Sequence, residues 1–214
     1  MRKKLFAAAG VLFLAFAIFT VLVGVIDVRP VGPDGSEVGF ATLNLFVFRT
    51  IGVHMVWYHI TDWLGVIAIL IAFAFAVTGL CQLIRRRSLR KVDRSIWVLG
   101  GFYLLAVACY VFFEQVIVNY RPIVIGQEIE ASYPSSHTMI VVCIMATAAI
   151  QLHELCAHRA KLCRGMNIFS AWMIAITVVG RLISGVHWFT DIVGGLLLSS
   201  ALVVLYCAVI RSKP

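Results

Sequence analysis

Residues 180–195 read GRLISGVHWFTDIVGG, placing Arg181, His187 and Asp191 within eleven residues between two strongly apolar runs. A charged side chain at the centre of a bilayer costs about 3 kcal/mol on insertion scales, so such residues usually mark a working site and face a protein interior. Whether this stretch lies in a membrane or in a soluble core decides the fold, and the rest of the chain answers that.

The chain has 214 residues, of which 62% are hydrophobic and 13% charged. Its mean hydropathy is +0.98. Soluble domains carry about 25% charged residues, so the composition indicates an integral membrane protein. A bilayer core needs roughly 20 apolar residues per helix. Runs at 5–26, 63–84, 96–117, 138–153, 167–183 and 190–210 approach that length, the fourth and fifth being short. The expectation is an all-α, polytopic membrane protein with six transmembrane helices. Residues 1–214 form a single domain, with its motifs within 114–191. The N-terminal apolar run is longer than a signal-peptide core and no A-x-A site follows it, so it reads as the first span.

Charge supplies the topology. Of the 18 lysines and arginines, 14 fall on one side of an alternating six-span layout, at 2–4, 85–94, 159–164 and at Arg211 and Lys213. The positive-inside rule makes that side, and both termini, cytoplasmic. The net charge of +8 is therefore a topology signal, with attraction to anionic headgroups as a by-product. No nucleic-acid partner is expected. The six cysteines lie in spans or on the cytoplasmic side, which argues against a disulfide framework.

The opposite, outer side receives three polar segments: EQVIVNYRP (114–122), YPSSH (133–137) and GRLISGVHWFTD (180–191). They bring Arg121, His137, Arg181, His187 and Asp191 to one depth. YPSSH reads as a helix start, with serine as cap and His137 in the first turn. Free N–H groups and the positive dipole end there suit a phosphate. His187 and Asp191 are four apart and would share a helix face, the carboxylate fixing the imidazole tautomer while the other nitrogen attacks. Arg121 and Arg181 can hold oxyanions bidentately. Together these groups suit phosphoryl transfer without a metal.

Arg121-Pro122, Pro134-Ser135-Ser136-His137 and Arg181-x5-His187-x3-Asp191 resemble, in order, the three-part pattern of the type 2 phosphatidic acid phosphatase superfamily. The resemblance implies a membrane lipid phosphatase with its active site at the outer membrane interface, acting on a lipid phosphate or pyrophosphate. His187 would be the nucleophile that forms a phosphohistidine, Asp191 its partner, and His137 the acid to the leaving group. Arg121, Arg181, Ser135 and Ser136 would cradle the phosphate. No metal and no cofactor are implied: the expected enzyme is a metal-independent phosphoric monoester or diphosphate hydrolase. A lipid-phosphate phosphotransferase on the same scaffold, or a catalytically impaired lipid-binding or transport relative, is the alternative. Ser136 stands where the pattern has glycine, Gly180 where it has serine and Glu114 where it has lysine. If the third span continues as a helix to Arg121, Glu114 shares its face two turns deeper and would pair with an arginine of the site.

Other polar residues receive plainer readings. HELCAH (153–158) has its histidines five apart, unlike the HExxH spacing, and reads as a cytoplasmic loop. The segment 27–62 is rich in aromatics, and part of it is expected to lie flat at the interface with His54, His59 and Asp62 as interface residues. Gly194, Gly195, Ser199 and Ser200 give the last span a small-residue face for close helix packing.

Overall fold

The computed structural model of the protein describes residues 2–211; Lys213, counted above with the C-terminal charges, lies outside the described residues. Seven α-helices are described: α1 (Arg2–Val25), α2 (Ala41–Ile51), α3 (Met55–Arg86), α4 (Arg94–Gln115), α5 (Ser136–Cys156), α6 (Ala160–Ser184) and α7 (Phe189–Ile210). All but α2 are long and apolar enough to cross a membrane. The protein is an all-helical integral membrane protein. The six spans fall where hydropathy placed them, but three are longer than expected. Helix α3 begins at Met55 rather than near 63, taking Asp62 out of the predicted interfacial segment and into a span. Helices α5 and α6 also outrun their apolar cores. Gln151, near the end of α5, faces protein: its Nε2 donates to Ser95 Oγ and its Oε1 accepts from Tyr206 Oη, each at 2.9 Å. Hydropathy counts such a residue against a membrane span, whereas a satisfied hydrogen-bond network inside the bundle makes it tolerable. His153 and Cys156 accordingly belong to the last turns of α5, not to a loop.

Half of the apolar stretch of α5 and of α7 is buried inside the protein, against 17% in α1, α3 and α4, so α5 and α7 are the inner helices. Helix α7 packs against α1 and α5, α5 against α6, and α3 against α5 and α6; α4 lies along α5 and α7. Between α1, α4, α5 and α7 the core is aromatic. The Tyr133 ring, on the segment before α5, stacks on Phe16 at 6.4 Å and meets Phe113 edge-on at 6.2 Å, and its hydroxyl lies 2.8 Å from Thr20 Oγ1. The short helix α2 is anchored through a fully buried side chain. Asn44 Nδ2 donates to Gly39 O and Thr190 Oγ1, and its Oδ1 accepts from Thr190 N–H.

The alternation of spans gathers the N-terminal ends of α3, α5 and α7 with the C-terminal end of α6. The small residues of α7 make one of these approaches possible. A Cβ on Gly194 would lie 2.5 Å from Tyr133 Cε2, inside the closest distance real Cβ atoms adopt, and the ring is held on its other sides by Phe16, Phe19 and Phe113. Gly194→Ala is therefore expected to destabilise the protein by the ~1–3 kcal/mol typical of overpacking. A lowered thermal unfolding midpoint in detergent checks this; an unchanged midpoint would show that Tyr133 gives way freely.

Candidate active site

Helix α4 stops at Gln115, and the chain from 116 to 135 is irregular. That stretch folds back on itself: Arg121 N–H donates to Glu130 O and Ser132 N–H to Asn119 O, both at 2.9 Å. The Arg121 side chain, only 12% exposed, is paired through Nε with Glu130 Oε2 at 2.9 Å. The expectation of one helix running from Glu114 to Arg121 is thus corrected. Glu114 is exposed on the last turn of α4 beside Tyr110, while the ion-pair partners of Arg121 and Arg181 are Glu130 and Asp62.

Ser135 caps α5, its hydroxyl accepting the Thr138 N–H at 3.5 Å. Its own N–H donates to the carbonyl of Asp191 at 2.9 Å, so this residue is committed to structure. Ser136 and His137 follow in the first turn, where backbone N–H groups have no partner within the helix. His137 is half-buried, and its Nε2 lies 3.0 Å from Asp62 Oδ1.

His187 and Asp191 do not share a helical face. Helix α6 ends at Ser184 with Gly185 left-handed, and α7 begins only at Phe189. His187 is thus in the intervening turn and Asp191 in the first turn of α7. Gly185 (φ 72°) is required there, since a Cβ would meet Gly52 O at 2.6 Å. The Asp191 carboxylate is fully buried. Its Oδ2 accepts the Trp188 N–H at 2.8 Å and its Oδ1 accepts from Asn119 Nδ2 at 3.2 Å, with His187 Nδ1 farther off at 3.7 Å.

Arg181 is completely buried near the end of α6, an unusual condition for a guanidinium. One Nη is bonded to Asp62 Oδ1, and the guanidinium carbon stands 5.0 Å from the centre of the Tyr58 ring, a cation–π distance. Asp62 and Tyr58, both on α3, were not singled out as site residues by the sequence, because they precede the apolar core of their span. Besides Arg121 Nε, which only the Glu130 ion pair faces, six buried polar atoms of the candidate residues have no hydrogen-bond partner: Arg121 Nη1, Arg181 Nε and Nη1, His137 Nδ1, and His187 Nδ1 and Nε2. Buried polar atoms are nearly always satisfied, so several orphans among cationic and imidazole groups describe a place for an oxyanion. The same surroundings act on His187. Burial lowers its pKa from the ordinary 6.5, the nearby charges of Arg121 and Arg181 push the same way, and Asp191 opposes them. The imidazole is held neutral.

Residues 114–213, which contain all three polar segments, match the family model of the PAP2 superfamily. Over that stretch the chain is similar to the PAP2 superfamily. A solved structure it resembles is that of the first transmembrane PAP2-type phosphatidylglycerolphosphate phosphatase from Bacillus subtilis, with a TM-score of 0.66 and 17% identity over 95% of this chain and 96% of that one. The likeness at that identity establishes a shared transmembrane fold. Comparison with curated proteins gave no match.

Two departures from the superfamily's pattern acquire a physical setting. Gly180 faces α3: a Cβ there would lie 2.7 Å from Thr61 Cγ2 and 3.0 Å from Trp57 Cε3, so a serine does not fit against this α3. Glu114 holds neither arginine. Glu114→Gln is accordingly expected to leave phosphate release from a lipid phosphate within about twofold, as for an exposed side chain outside the site. A loss of tenfold or more would show that its charge reaches the reaction.

Proposed function

We propose that this protein is a PAP2-type lipid phosphatase that removes phosphate from a lipid phosphate or pyrophosphate through a phosphohistidine. The observation that supports it best is the set of unpartnered buried nitrogens on Arg121, Arg181, His137 and His187. In the proposed reaction the substrate's oxyanion takes the free N–H groups of Arg121 and Arg181, together with the N–H groups of Ser136 and His137. This is the fixed-dipole stabilisation on which phosphoryl transfer depends. His187, kept neutral by its surroundings, attacks phosphorus through Nε2, while Nδ1–H points to Asp191 at 3.7 Å and closes on it as charge develops. His137 gives a proton to the departing lipid oxygen and then takes one from the water that releases phosphate from His187. Ser135, a cap in this structure, shapes the cradle instead of binding in it.

His187→Ala should abolish phosphate release from phosphatidate, phosphatidylglycerol phosphate and a polyprenyl pyrophosphate alike, with unfolding unchanged. In the unaltered protein an acid-labile, base-stable phosphoryl group should be trapped on His187. Because its pKa is lowered, the neutral nucleophile should persist as pH falls through 6.5, placing the acid limb of kcat/KM below that value. EDTA should leave turnover intact, since arginines supply the charge that a metal would otherwise provide. A strict Mg²⁺ requirement, or transfer of phosphate to a lipid acceptor without free phosphate, would overturn the hydrolase reading.

The basic connections after α3 and α5 lie at the opposite ends of their helices from the site, which supports placing the site on the outer face. A single cysteine at the exposed Gln127, in a cysteine-free background, should react with an impermeant thiol reagent on intact cells, and one at Ser88 should not. The reverse pattern would put the site in the cytoplasm.

A further inference from the structure

Asp62 is a half-buried carboxylate of α3, far in sequence from 114–191, and one of its oxygens touches two groups of the site. Oδ1 lies 3.0 Å from His137 Nε2 and is bonded to Arg181 Nη2. Two glycine contacts fix its depth. Gly180 lets α6 meet Thr61, next to Asp62, at a distance no side chain would allow. Gly65, three residues on and on the same face of α3, lies against the His137 ring: a Cβ there would stand 3.3 Å from Cδ2 and 3.8 Å from Nε2. The Cδ2–Nε2 edge of the imidazole therefore faces α3, and Nδ1 sits on the edge turned away from it. That Nδ1 is buried and has no partner.

We propose that Asp62 is a positioning residue for the reaction: it accepts the Nε2–H of His137 and so reserves Nδ1 as the nitrogen that passes protons at the leaving oxygen. The proposal rests on the phosphatase reading above. As the bond between phosphorus and the lipid oxygen breaks, the Nδ1–H proton of the imidazolium moves to that oxygen, leaving His137 neutral with Nε2–H still on Asp62. In the second half, water adds to phosphorus as the bond to His187 breaks, and its proton goes to Nδ1. The carboxylate stabilises the imidazolium in both directions without taking the proton itself.

The test uses the full chain in nanodiscs. Asp62→Asn should lower kcat on phosphatidate by about 100-fold, the scale of general acid catalysis, yet change turnover of an activated aryl phosphate by no more than about threefold. Asp62→Glu should restore most of the loss, and Asp62→Asn should add nothing further in a His137→Ala background. Equal losses on both substrates would assign Asp62 to Arg181 and the cradle instead; either that result or full additivity overturns the proposal. Ring ¹⁵N NMR reads the contact without turnover: His137 should be the Nε2–H tautomer, and Asp62→Ala should abolish that preference. An Nδ1–H tautomer, or a spectrum indifferent to Asp62, also overturns it. If the unaltered protein releases no phosphate from any substrate, the phosphatase reading fails, and the ring spectra alone decide whether Asp62 positions His137.

Discussion

Asp191 joins the three segments from which the site is built. Its carboxylate accepts from Trp188 N–H in the turn after α6 and from Asn119 on the loop after α4, while its backbone carbonyl accepts from Ser135 at the cap of α5. All of this happens in a fully buried position. A buried carboxylate is costly unless hydrogen bonds satisfy it, and satisfying it here requires all three segments to arrive together. The residue next to His187 and the residue before the first turn of α5 are thereby fixed to one another. The same first turn of α7 is tied to α2 through Asn44 and Thr190, so the short helix belongs to this knot as well.

Around the knot, each arginine of the site has its own carboxylate. Arg121 pairs with Glu130 and Arg181 with Asp62. Removing one partner of a buried ion pair typically costs ~3–5 kcal/mol because the remaining charge is stranded. In this protein each pair leaves nitrogens over, so the guanidinium is held while part of its donor fork stays open. For the oxyanion of the proposed reaction these donors would be already oriented and already desolvated, which is the condition under which they act most strongly. Glu130 is half-exposed and lies on an irregular segment, whereas Asp62 is fixed in a long helix between two glycine contacts. Arg181 is thus the rigid member of the pair and Arg121 the one carried on a loop.

The sequence by itself determined the class of the protein, the number of its spans, the order of its three polar segments and their resemblance to a superfamily pattern. Those features depend on local composition: apolar length sets a span, and basic loops set the alternation. Arg121, His137, Arg181, His187 and Asp191 were legible because each sits in a polar motif that interrupts an apolar run. What only the tertiary structure decided depends on contacts between distant segments. Asp62 looked like an interface residue because it precedes the apolar core of α3; the packing of α3 on α5 and α6 brings it to His137 and Arg181. Glu114 looked like a partner for Arg121 because helical spacing was extended past Gln115, where the helix in fact ends. His187 and Asp191 were expected on one helix by the same spacing, but a left-handed Gly185 turns the chain first. Periodicity shows which residues share a face while a helix lasts; where it stops, and which buried charges then find each other, is settled by three-dimensional packing and by the cost of leaving those charges unpaired.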